Sequence, residues 1–142
     1  MSETVLWLWY CARHAQRRHW YALAARYYRL CDMVYQCADD LGPFDQECYD
    51  CGNAADDRMR RMLSKLPKEE ADEILEEAHD YHASRAAGGT YFFFDWQTFM
   101  HEQIDRLDDM RHKADAEWRQ CRDNKLWRRI LRKLHIIRTK EA

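Results

Sequence analysis

The stretch CYDCGN places Cys48 and Cys51 ahead of Gly52. That spacing suits a turn that presents two thiolates to zinc, with glycine letting the backbone fold around the sulfurs. A structural zinc site needs two further ligands. HDYH offers His79 and His82, three apart and so on one face of a helix, and Cys31 and Cys37 offer another pair. Neither pair stands at a characteristic spacing from the first. The expectation is therefore two ordinary loop cysteines, two surface histidines and no cofactor, with a zinc-stabilised module as the competing reading.

Acid–base chemistry finds no better footing. EEADEILEEAHD distributes Glu69, Glu73, Glu76, Glu77 and Asp80 over solvated arcs around an Ile74/Leu75 stripe. Helical di-metal carboxylate sites require Glu-x-x-His motifs projecting inward from partner helices. Glu76 and His79 supply one such motif and Glu102 lacks the histidine for a second. Gly88 and Gly89 stand alone, without the pattern of a phosphate-cradling loop, and no serine or cysteine occupies a recognisable nucleophile turn. The residues predict a non-catalytic protein.

Binding chemistry is better represented. RHAQRRHWYALAARYYR interleaves Arg13, Arg17, Arg18, Arg26 and Arg29 with Trp20, Tyr21, Tyr27 and Tyr28. Arginine for phosphates beside aromatics for bases is how single-stranded nucleic acid is often held. Trp20 and Tyr27 fall on an apolar seam, which leaves Tyr21 and Tyr28, with Arg17 and Arg18, as the exposed contact candidates. A second block, NKLWRRILRKLHIIRTK, carries seven basic residues between Asn124 and Lys140. At 100° per residue, Trp127, Ile130, Leu131, Leu134 and Ile137 share an arc of roughly 120°. Lys125, Arg128, Arg129, Arg132 and Lys133 fill roughly 140° opposite. The expectation is that the apolar side docks on the rest of the protein and the basic side meets an acidic partner.

The elements that must position these residues read as helices. The 142 residues contain only four glycines and two prolines, too few for strands joined by tight turns. The formal charge of −2 conceals dense blocks. Residues 1–38 carry a net +3, 39–57 carry −7, 58–65 carry +4, 66–80 carry −6, 81–117 carry −3 and 118–142 carry +7. Blocks of this kind neutralise each other across a surface or attract partners of opposite sign.

A first long helix starts with Ser2 and Glu3 and meets no glycine or proline before Gly42 and Pro43. Its apolar seam is clean from Trp20 to Leu41 and interrupted at Arg13 and Gln16, so it either projects or bends there. GPFDQECYDCGNA, residues 42–54, reads as a loop. A short helix carries Ala55, Met59, Met62 and Leu66 on one face, and Pro67 closes it and opens the next. That next helix buries Ala71, Ile74, Leu75, Ala78 and Tyr81 or His82. TYFFFDW reads as an extended plug, Asp95 caps a fourth helix, and Asn124 caps a final one over 125–138.

The expected architecture is a single all-α domain over residues 1–142, a compact bundle of about five helices with a long N-terminal helix and a basic amphipathic C-terminal one. Six cysteines without a recognisable secretory signal, and an apolar run at Val5–Ala12 far too short for a span, predict a cytoplasmic protein with buried free thiols. The functional expectation is a binding protein that occupies a surface of a protein or ribonucleoprotein complex. It would act as an adaptor or inhibitor, anti-CRISPR-like if phage-encoded, a role drawn from general character and from no motif. Direct nucleic-acid binding through residues 13–29 and 119–140 is the alternative. The seam from Trp20 to Leu41 further predicts a homodimer.

Overall fold

In the computed structural model, the described residues are 2–37, 45–86 and 96–141, with side chains described except at 37, 78–86, 96–97 and 136–141. All regular structure among them is helical: α1 (Ser2–Arg17), α2 (Tyr21–Cys37), α3 (Gln46–Leu63), α4 (Lys68–Ala86) and α5 (Trp96–Glu141). The chain divides into two compact units, Met1–Leu107 and Asp108–Ala142. The plug and its cap at Asp95, like Tyr81, His79 and His82, lie outside what is described of side chains or backbone.

The long first helix is in fact two. The Trp20 N–H donates to the Ala15 carbonyl and the His19 N–H to Gln16, both at 3.0 Å. His19 has φ 62°. These bonds and that left-handed residue make a Schellman stop, which usually recruits glycine. Histidine is among the residues that tolerate the conformation, so the chain turns with no Gly or Pro to announce it. Three residues then separate α1 from α2, and such short connections return one helix along its neighbour. Contacts agree with the reversal, since the Cys31 thiol reaches the Val5 carbonyl and the Trp9 ring meets Tyr28 edge-on at 5.3 Å. Ala12, Ala15, Ala24 and Ala25 are fully buried, small enough to let the two backbones approach closely.

α2 is the centre of the first unit, packed against α1, α3 and α4. Its buried set, which includes Leu23, Tyr27, Tyr28, Leu30, Cys31, Met33 and Val34, is therefore far wider than one seam. The described apolar positions of the seam from Leu23 to Val34 are covered within the chain.

The expected loop at 42–54 is also largely helical. Asp45 caps α3 by accepting the Cys48 N–H at 3.2 Å. Cys48, Cys51, Ala55, Met59 and Met62 then repeat at helical spacing and are buried. Gly52 sits inside this helix, where glycine costs about 1 kcal/mol relative to alanine. Its reason is steric, because a Cβ built there would lie 2.2 Å from the Cγ of Tyr35. Gly52→Ala is expected to lose about 1–2 kcal/mol in urea unfolding, the overpacking cost exceeding the propensity gain. Adding Tyr35→Ala should remove that steric cost, and a G52A chain as stable as wild type would refute the packing.

Helices α3 and α4 are separated at Pro67 as expected, and the Ala71 N–H already bonds the Pro67 carbonyl. On α4, Ile74 is buried but Leu75 is 37% exposed, contrary to the predicted face. The early turns of α5 add buried Met100 and Leu107 to the first unit. Helix α5 continues through Asn124, so the expected cap and separate final helix are absent. No helix of the described residues is long and apolar enough to cross a membrane.

Candidate binding surfaces

The first basic block is split by the turn at His19. Arg17 is exposed at the end of α1, and Arg18 folds over the Trp20 ring with its guanidinium carbon 5.1 Å from the centroid. Lys65 covers the Tyr21 ring at 5.0 Å, and the Tyr21 hydroxyl pairs with His19 Nδ1 at 2.8 Å. Trp20 also meets His14 edge-on at 6.0 Å. Tyr21 is therefore half-buried and already stacked against a cation, and Arg13 is only partly exposed. The bands of charge and aromatics seen along the chain become a small corner of self-satisfied pairs.

Tyr28 is not a surface residue. It is fully buried, packs against Trp9 and donates its hydroxyl to Gln16 Oε1. Burial raises its phenol pKa. The face it shares with Arg17 and Arg18 in projection is the face that α2 turns towards α1, and the expectation of an exposed contact there is corrected. Arg26 and Arg29, from the same block, also turn towards neighbouring helices.

Arg26 donates from Nε and Nη2 to the two carboxylate oxygens of Glu77, each at 3.1 Å, and Arg106 donates Nη2 to Glu77 Oε1 at 3.2 Å. This ties α4 to α2 and to the start of α5. Burial by itself would raise the Glu77 pKa, but the hydrogen bonds and charges of both arginines outweigh it and hold the carboxyl below its usual value. Glu77 was expected on a solvated arc. A single charge in a row of seven acidic residues gives no sign of which one finds a partner 51 residues earlier.

Cys48 and Cys51 lie one turn apart on α3, both buried, and burial pushes the Cys51 thiol up to about 11 and raises Cys48 as well. Cys11 and Cys31 are buried free thiols too, and Cys121 is exposed. Among the described residues no group of three or more His, Cys, Asp or Glu side chains is placed to hold a metal. We expect purified protein to carry well under one equivalent of zinc and to melt at the same temperature with and without chelator. Stoichiometric metal in elemental analysis would overturn this, because a structural ion contributes folding energy directly.

The second basic block belongs to the second unit, which by itself is one helical segment. A single helix has no interior, and residues 116–135 are all exposed. Trp127 is 61% and Leu131 58% exposed, with Ile130 and Leu134 beside them. Within this unit the apolar stripe lies on the surface of the helix. Arg128, Arg129, Arg132 and Lys133 occupy the other side, also exposed.

The fold and these surfaces define an all-α protein with a helical core unit and a second unit that displays an amphipathic basic helix. No family model matches the chain, and neither a curated protein nor a solved structure is significantly similar to it.

Proposed function

We propose that this chain is a non-catalytic binding protein that occupies an acidic surface of a protein or ribonucleoprotein partner, as an adaptor or an inhibitor. The carrying observation is the helix at 125–135, with Trp127, Ile130, Leu131 and Leu134 exposed on one side and five cations on the other. Isolated exposed leucines are ordinary, but a contiguous stripe that begins with tryptophan is the composition of an interface. An amphipathic helix of this kind lays its apolar side in a groove, and its cations meet an acidic rim.

Affinity capture from the native host, followed by mass spectrometry with and without nuclease, tests the reading. The same protein partner should be retained after nuclease treatment by wild type and lost with Trp127→Ser/Leu131→Ser. Capture that vanishes with nuclease would favour nucleic acid instead. The observation behind that alternative is the corner of Arg17, Arg18, Trp20, Tyr21 and Lys65, yet two of its rings already carry cations from the chain itself. Binding of nucleic acid would weaken steeply with salt, by about one log unit per log unit of salt for each phosphate contacted.

A further inference from the structure

Among the described residues of the first unit, three large apolar side chains are exposed: Trp7 at 48%, Tyr10 at 54% and Leu75 at 37%. Trp7 and Tyr10 are three apart and so lie together on one side of α1. Glu3, one turn earlier on that side, is exposed too. At the start of α3, Glu47 accepts the Tyr10 hydroxyl through Oε1, and Asp50 is exposed one turn further on. A carboxylate accepts several hydrogen bonds, so Glu47 keeps capacity for another donor. The patch combines two aromatic rings with three carboxylates.

The second unit presents the opposite combination. The sequence has no acidic residue from Asn124 to Lys140, and Trp127 and Leu131 are exposed one turn apart on a helix that also exposes Arg128, Arg129 and Arg132. Two such helices would not pair stripe to stripe, because their cations would be brought together. Helix α4 exposes Glu69, Asp72, Glu73 and Glu76 but only Leu75 among large apolar side chains, a match in charge alone. The patch on α1 and α3 matches in both respects. Its rings can pack against Trp127 and Leu131, its carboxylates can take the arginines, and a guanidinium over a Trp or Tyr face adds cation–π attraction.

We propose that the helix at 125–135 of one chain docks on the Glu3, Trp7, Tyr10, Glu47 and Asp50 patch of a second copy. Each copy offers one helix and one patch, so exchange in both directions closes a two-fold dimer. A patch of two rings against one helix is at the low end of interface sizes, which suits reversible association. The contact uses the helix assigned above to partner binding, so self-association and partner capture compete. Pairing of two copies itself needs no foreign partner.

Sedimentation equilibrium of the full chain over a concentration series tests the pairing. Wild type should dimerise with a Kd on the order of 10 μM at low salt, and added salt should weaken it. Glu47→Lys/Asp50→Lys and Arg128→Glu/Arg129→Glu should each raise the Kd at least about tenfold. An equimolar mixture of these two variants should recover the wild-type affinity, because patch and helix have then exchanged sign together. Glu69→Lys/Glu73→Lys changes the net charge by the same amount as the patch variant and should leave pairing unchanged. Circular dichroism checks that each variant is folded, and Glu3→Lys/Asp50→Lys replaces the patch variant if that one is not. The proposal is overturned by a mixture that stays monomeric, by an equal loss in the α4 variant, or by a dimer that persists in both reversed variants. A wild-type chain that is monomeric at about ten times the expected Kd, as it would be if the helix covered the patch of its own chain, also overturns it and leaves the partner reading standing.

Discussion

Reversing Arg128, Arg129, Arg132 and Lys133 to glutamate is expected to weaken partner capture by at least ~100-fold while leaving thermal unfolding nearly unchanged. The fold should survive for reasons internal to the helix. The four positions are exposed and lie more than one turn from the end of α5, where the helix dipole would distinguish the signs of charge. Positions 128 and 132, and 129 and 133, are like-charge pairs four apart in both versions, so local repulsion is conserved. The apolar stripe at Trp127, Ile130, Leu131 and Leu134 is untouched. Binding should fall because four attractive contacts with an acidic rim become four repulsive ones. Surface plasmon resonance against the captured partner reads the effect, and circular dichroism controls for helix content. Unchanged affinity would mean that the basic side is only the solvated side of the helix.

Glu77→Ala is expected to cost about 2 kcal/mol of stability in urea unfolding. Arg26 is 13% exposed at its side chain, so removing its acceptor leaves a largely buried guanidinium without compensation. The figure is below that for a fully buried pair because Glu77 is 27% exposed and Arg106 can turn to solvent. The pH dependence has a definite sign. The folded-state pKa of Glu77 is held below its unfolded value, so its contribution is complete above about pH 4.3 and is lost as pH falls through the folded value. The stability gap between wild type and E77A should therefore be constant from neutral pH to about pH 5 and narrow in more acid solution. A gap that is the same at pH 3 and pH 7 would show that the carboxylate charge is not what joins α4 to α2.

The amino-acid order alone dictates that this protein is helical, where proline separates α3 from α4, and that the last basic stretch is amphipathic. All three follow from local rules: too few turn residues for sheets, a missing N–H at Pro67, and the 100° step between successive side chains. What it did not disclose are arrangements that depend on residues far apart. The turn at His19 uses a backbone conformation that histidine merely tolerates, so no residue type marks it. Gly52 reads as a turn signal until Tyr35 is found pressing on its α-carbon, and the loop becomes helix. Tyr28 falls outside a single apolar seam, but α2 is enclosed by α1, α3 and α4, and an enclosed helix buries most of its circumference. The pairing of Glu77 with Arg26 and Arg106 was equally hidden, because charge types repeat along the chain and only the packing of α2, α4 and α5 selects which ones meet. Tertiary structure decided these points because burial and pairing are properties of neighbours in space, whereas propensity and periodicity are properties of neighbours in sequence.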